Sequence, residues 1–292
     1  MNKEIVQICQ KIDIEDILCK KSFRVWFFTN ERNHYFFPKL EQIREMQKVF
    51  CVGGGGDFAF SLLSTPLLNQ INEVNVCDIR PMANITVDLK TGLFKNLGYE
   101  EILDLFLKQT SFQTQPTYKR IRETITPLSR TLFDQVIAHS KEDQFLSCLK
   151  KSGLWYGDSF WQIKNKEVYL PYLASKERYE RLQKNLDHTT LFCGDVCENL
   201  KLFGNTYFDL IYLSNILDSR KYCPNPHEYL QTIKNKLRDR GFLFVVTQHH
   251  PKQIIRLVEK EGFRLCKKEL RRFNLLTSLL GHYSYSFLLF EK

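Results

Sequence analysis

Short apolar runs alternate with amphipathic stretches in two separate parts of the chain. Lys48-Val49-Phe50-Cys51-Val52 is apolar enough for a buried strand and stops at Gly53-Gly54-Gly55-Gly56. Asp57 to Leu68 then reads as a helix, with Pro66 near its end as a stop signal. Val74-Asn75-Val76-Cys77 predicts a second strand ending in Asp78, and Pro81 opens a helical stretch to about Lys95. Strand, glycine turn, helix, strand and acid form the opening of a nucleotide-binding βαβ unit.

The same alternation resumes near residue 189. Thr189-Thr190-Leu191-Phe192-Cys193 predicts a strand and leads into Gly194-Asp195. Phe208 to Leu213 is a continuous apolar run, the pattern of a parallel strand covered on both faces, and runs into Ser214-Asn215. A helix is expected from about Pro226 to Leu237, and Arg240-Gly241 should turn the chain into a strand over Phe242–Val246. A helix over 251–261 and two strands, Phe263–Glu269 and Tyr283–Phe290, should complete the sheet, with an antiparallel arrangement at this edge.

Two further regions depart from this rhythm. Residues 1–45 mix charged and apolar positions at helical spacing, interrupted by Val25-Trp26-Phe27-Phe28 and Tyr35-Phe36-Phe37-Pro38. Residues 97–188 read as helical and polar, broken at Pro116, Pro127 and Pro171. A crossover between parallel strands needs only about a dozen residues. So long an insertion is expected to act as a lid or wall for a second substrate, rather than as a structural cap alone.

Composition narrows the class. Hydrophobic residues at 43% and charged residues at 26% of 292 suit a globular chain and argue against disorder. The 23 phenylalanines and 13 tyrosines suit a thick core and a pocket able to stack a planar ligand. No apolar run approaches the ~20 residues that span a bilayer. The N-terminal stretch lacks the uninterrupted hydrophobic segment of a secretion signal. The nine cysteines are scattered, with neither a C-x-x-C pair nor zinc-type spacing. Reduced thiols in a cytoplasmic protein, and no metal, are therefore expected. The net charge of +9 is compatible with RNA, an anionic membrane surface or an acidic small molecule, and more commonly marks a solvated face. Its densest clusters, residues 234–240 and 267–272, adjoin expected secondary structure, so nucleic acid is the weaker reading.

The candidate chemistry lies at the strand ends. Gly53, Gly54, Gly55 and Gly56 would let the backbone approach a ligand, although Phe58 stands where a third fingerprint glycine would fall. Asp78, about twenty residues on, is placed to take ribose hydroxyls, with Ile79 beside it. Asp57 opens the helix, where its charge would repel a pyrophosphate. It is expected to cap the helix and face a cationic ligand, which favours S-adenosylmethionine, a sulfonium without phosphate. Asp195, followed by Val196, could accept an adenine amino group while a backbone N–H reads the ring; a plain turn aspartate is nearly as good a reading. Ser214, Asn215 and Asp218 end the fourth strand, where open α/β sheets carry their chemistry. His249-His250 reads as a polar loop, and no Ser–His–Asp or Cys–His set follows from spacing. The expected fold is α/β, a Rossmann-like sheet of the class I methyltransferase type. It would consist of residues 46–96 and 189–292, preceded by the helical segment 1–45 and interrupted by the helical insertion 97–188.

Several of these motifs, taken together, resemble the BtaA-like (DUF3419) proteins. They are Val52 to Phe60, Cys77-Asp78-Ile79-Arg80-Pro81, and Leu97-Gly98-Tyr99-Glu100-Glu101. Within the insertion, Ile121 to Ser129, Gly153-Leu154-Trp155-Tyr156-Gly157 and Leu170 to Arg178 are similar too, as is Tyr212-Leu213-Ser214-Asn215-Ile216. The resemblance spans roughly residues 48–250. It implies transfer of the 3-amino-3-carboxypropyl group of S-adenosylmethionine, in the family's best-known members to the hydroxyl of diacylglycerol, with methylthioadenosine as by-product. Cys51 fits that expectation, because ordinary methyltransferases carry an acid there for the methionine ammonium. The acceptor is expected to be a small molecule or a lipid, with peripheral contact to an anionic membrane. Arg80, Tyr156 and Asp218 would face the reaction, a carboxylate or tyrosine taking the acceptor's proton. A conventional methyltransferase, a lyase that cleaves S-adenosylmethionine, and a non-catalytic RNA- or membrane-binding module are the rivals.

Overall fold

Residues 46–65, 71–107, 112–151, 166, 170–218, 223–247, 251–266 and 286–292 are described in a computed structural model of the chain. The N-terminal segment 1–45, Tyr156, His249-His250 and the basic cluster 267–272 lie outside them.

Val49, Phe50 and Cys51 are fully buried, with Val49 and Cys51 on one face of strand β1 (Lys48–Val52) and Phe50 on the other. A strand that is apolar on both faces belongs in the middle of a sheet with helices on either side. β2 (Glu73–Asp78), β3 (Thr189–Cys193), β4 (Phe208–Tyr212), β5 (Leu237–Thr247), β6 (Arg264–Leu265) and β7 (Ser286–Glu291) complete it. Their order is β3-β2-β1-β4-β5-β7-β6. β1 to β5 pair in parallel, whereas β7 runs antiparallel to both β5 and β6. This is a Rossmann-like sheet of the class I methyltransferase type.

One face of the sheet is covered by α1 (Asp57–Leu63) and α2 (Pro81–Asn96), together with the insertion. The insertion contributes α3 (Tyr99–Leu107), α4 (Thr114–Ile121), α5 (Pro127–His139), α6 (Phe145–Lys151) and α7 (Lys176–Asn185). The other face is covered by α8 (Val196–Leu200), α9 (Pro226–Lys236) and α10 (Pro251–Lys260). The insertion helices share their core with α1 and α2: Phe106, Phe133, Leu149 and Tyr172 are all fully buried there. Its polar attachment is equally local. Asp88 of α2 accepts from the N–H and hydroxyl of Thr126 at 2.8 and 2.7 Å, and Thr126 in turn caps α5.

Three element boundaries differ from the pattern-based expectation. α1 ends at Leu63 rather than Leu68, because Ser64 and Thr65 bond their hydroxyls back to Ser61 O and close the helix. β5 starts at Leu237, five residues early, because Leu237 already pairs with Phe208. The expected Arg240-Gly241 turn survives as a kink inside the strand, with Arg240 at φ +60° and a register shift opposite Phe208–Leu210. β6 is confined to Arg264–Leu265 among the described residues. No helix of the described residues is long and apolar enough to cross a membrane.

Candidate functional site

Open parallel sheets bind ligands beyond the carboxyl ends of their strands, where the strand order reverses. Here the order reverses between β1 and β4. A cavity of about 260 Å³ lies at that point. Val52 and Gly54 after β1, Asp78 to Arg80 after β2, Gly194 to Val196 after β3, and Ser214 to Ile216 after β4 form its walls.

The glycine turn is built for close approach. Gly53 N–H bonds to Cys77 O at 2.8 Å, and Gly56 N–H returns to Gly53 O at 2.7 Å. A Cβ on Gly54, at φ +48°, would meet no protein atom within 4 Å, so the space above it is open. Gly56 has the opposite role. It stands at φ +81°, and a Cβ there would fall 2.7 Å from the Phe60 ring. Gly56→Ala should therefore lose about 2–4 kcal/mol, from left-handed backbone strain plus overpacking. A lowered urea midpoint at unchanged m-value would register it. Phe58 explains the missing third glycine: its ring stacks on Tyr212 of β4, with centroids 3.8 Å apart and planes 8° from parallel. An aromatic pair fills the gap that a glycine elsewhere closes by tight helix–strand contact.

Asp78 is 4% exposed and presents its carboxylate to the cavity. Oδ2 accepts from Gly54 N–H at 2.9 Å and Oδ1 from Arg80 N–H at 2.9 Å. The Arg80 guanidinium also reaches both oxygens, Nε at 3.2 Å and Nη2 at 3.4 Å. Behind them, the Asp78 carbonyl accepts from Gly194 N–H and the Asn84 amide, each at 3.1 Å. Asp195 caps α8, its Oδ1 accepting from Cys197 and Glu198 N–H, while Oδ2 accepts from the Tyr229 hydroxyl at 3.2 Å. Burial and then the Asp195 charge push the Tyr229 phenol well above its ordinary range, so it stays a proton donor. Ser214, at φ +50°, holds a backbone conformation that non-glycine residues rarely adopt, and its carbonyl accepts from Val246 N–H at 2.9 Å.

Asp57 does not cap its helix. Gly56 takes the N-cap position, without side-chain capping, and the Asp57 side chain turns into the interior. Its Oδ1 accepts from Lys90 Nζ at 2.6 Å and from the Tyr172 hydroxyl at 2.5 Å. Lys90, itself 0% exposed, also donates to Gly55 O at 2.7 Å. The carboxylate is thus matched by an ammonium and lies off the cavity wall, so the expected repulsion of a pyrophosphate from this position falls away. Burial lowers the Lys90 pKa, against the pull of Asp57.

The fold therefore gathers Gly54, Asp78, Ile79, Arg80, Asp195, Val196, Ser214 and Asn215 around one cavity. Gly53, Gly55 and Gly56 shape the turn beneath it. Asp218 sits in a short 3₁₀ turn with Oδ1 accepting from Thr247, and Tyr156 lies outside the described residues. Tyr229 joins the wall from α9, 34 residues beyond Asp195, and no local signal marks it among the ordinary helix residues around it. Gly194 and Ile216 adjoin residues already singled out, so strand-end position was enough to find them. Among the described residues no group of three or more His, Cys, Asp or Glu side chains is placed to hold a metal.

No family model and no curated protein matches the chain. Solved structures similar to it include a SAM dependent methyltransferase from Aquifex aeolicus, at 12% identity and TM-score 0.41, over 96% of this chain and 98% of that one. Spermidine synthase from Thermotoga maritima is similar at 11% identity and TM-score 0.40, over 89% of this chain and 59% of that one. The [4+2]-cyclase SpnF is similar at 9% identity and TM-score 0.39, over 99% of this chain and 93% of that one. Likenesses this distant carry no functional argument, which has to come from the site.

Proposed function

We propose that the chain is an S-adenosylmethionine-dependent transferase and that it moves the 3-amino-3-carboxypropyl group to a small-molecule or lipid nucleophile. The observation that carries the cofactor is the Asp78 carboxylate at the switch point, held by Gly54 N–H next to open space. A ribose diol needs two acceptor oxygens side by side, and an acid at the end of the second strand is where a βαβ unit supplies them. Asp195 and Val196 would read the adenine edge, and Ser214 to Ile216 would line the opposite wall. The cavity, about 260 Å³, suits a nucleoside-sized body. The antiparallel β7 also sets this sheet apart from the 3-2-1-4-5-6 order of dinucleotide-binding sheets.

Bound S-adenosylmethionine supplies carbons activated by its sulfonium, and the one aimed at the nucleophile is the one transferred. What the chain itself does is grip the adenosine end and fix its direction. The aminocarboxypropyl reading rests on the BtaA-like motifs and on Cys51. That side chain is fully buried, and burial pushes its thiol pKa far upward, so it offers no charge to a methionine ammonium. An uncharged group in that place supports a differently seated methionine end.

The test is the nucleoside product. Purified protein with S-adenosylmethionine and a cell extract is expected to release methylthioadenosine, identified by mass spectrometry above a no-enzyme control. S-adenosylhomocysteine instead would mean methyl transfer and would sink the aminocarboxypropyl reading. Methylthioadenosine formed equally without extract would mean cleavage without an acceptor.

A further inference from the structure

Four donors converge on Asp78, and they differ in strength. The two backbone N–H groups, from Gly54 and Arg80, both stand at 2.9 Å, one on each oxygen. The two guanidinium contacts, also one on each oxygen, are longer, at 3.2 and 3.4 Å. The first pair fixes the carboxylate; the second lies at or beyond the long end of the N–H···O range. The Arg80 side chain is 39% exposed, whereas that of Asp78 is 4% exposed. The acid is therefore seated in the wall, and its guanidinium cover reaches the solvent side of the same cavity.

We propose that Arg80 is a latch over the ribose-binding carboxylate, which a ligand's ribose hydroxyls must displace before Asp78 can hold them. This rests on the reading of Asp78 given under Proposed function. The exchange balances in hydrogen bonds. Two guanidinium N–H donors leave Oδ1 and Oδ2, two ribose O–H donors arrive, and both backbone donors remain. Arg80 thereby sets the site's affinity against the ligand rather than for it, and removing the guanidinium tightens binding. A nucleoside lacking one of its two ribose hydroxyls displaces only one of the two guanidinium contacts and leaves the other in place.

Arg80→Gln is the informative variant. Arg80 holds the N-cap position of α2 without side-chain capping, and its backbone N–H to Asp78 is kept, so the helix start is preserved. Titration calorimetry with S-adenosylmethionine at low salt should show R80Q, and R80A as a second variant, binding about two- to fivefold tighter than the parent. That is the range for freeing a carboxylate from one partly exposed partner. The gap should narrow as salt screens the parent's ion pair. Because one guanidinium contact stays in place when one hydroxyl is missing, 2′-deoxyadenosine should lose less affinity relative to adenosine for the parent than it does for R80Q. Equal or weaker binding by both variants overturns the latch, and weaker binding means that the guanidinium touches the ligand. If neither parent nor variants bind S-adenosylmethionine or adenosine, the ribose reading of Asp78 fails and the latch fails with it.

Discussion

Lys90→Met is expected to unfold about 10 °C below the parent chain. The lysine is fully buried, and its ammonium bridges Gly55 O and the Asp57 carboxylate. Methionine matches the length of its stem but leaves the buried Asp57 carboxylate without its ammonium, the Tyr172 hydroxyl still donating to it. Breaking a buried pair by removing one member costs about 3–5 kcal/mol. At about 2–4 °C per kcal/mol for chains approaching this size, that is on the order of 10 °C. The double variant K90M/D57N should recover roughly half the loss, because it removes the stranded charge but not the orphaned Gly55 carbonyl. Differential scanning calorimetry decides the matter. A K90M shift under about 3 °C would mean that the ammonium contributes little.

Asp78→Asn should abolish nucleoside binding at ordinary concentrations while leaving most of the fold intact. The substitution removes the charge and turns one acceptor oxygen into a donor, so Gly54 N–H and the two ribose hydroxyls compete for a single oxygen. Hydrogen bonds to a charged group contribute about 1.5–3 kcal/mol each, so losing one or two raises Kd by about a hundredfold. Calorimetric titration of the folded variant with S-adenosylmethionine measures it. An increase below about tenfold would show that the ribose is held elsewhere.

The βαβ opening was readable because buried parallel strands are plain apolar runs and because four consecutive glycines have few uses other than a turn. Asp78, Asp195 and Ser214 followed from position alone, since each lies at or within two residues of a strand's carboxyl end. Asp57 misled for a local reason. An acid right after a glycine run looks like a helix cap, but Gly56 took the cap and left Asp57 one position further in, pointing to the core. Its true partners are 33 and 115 positions away, and no local pattern links Lys90 or Tyr172 to it. Lys90 itself looks like an ordinary lysine on a long helix. The insertion was read as polar and as a lid or wall for a second substrate, yet Ile102, Leu105, Phe106, Leu132 and Phe133 sit at helical spacing and are buried in the core of the sheet face. Their pattern was present; which face of the sheet they would cover was not.

The placing of β7 has a consequence for how the molecule is made. β7 lies between β5 and β6, yet its first residue, Ser286, comes 39 positions after Thr247, the last residue of β5. On a ribosome adding about 5–20 residues per second, that stretch takes roughly 2–8 seconds to synthesise. Until that stretch is made, the Phe242–Thr247 edge of β5 has no partner strand and β6 has nothing to pair with. Phe242-Leu243-Phe244-Val245-Val246 is an apolar, uncharged strand of the kind that pairs with neighbouring chains when left bare. The nascent protein thus lacks the strand that covers this apolar edge until residues 286–291 are made.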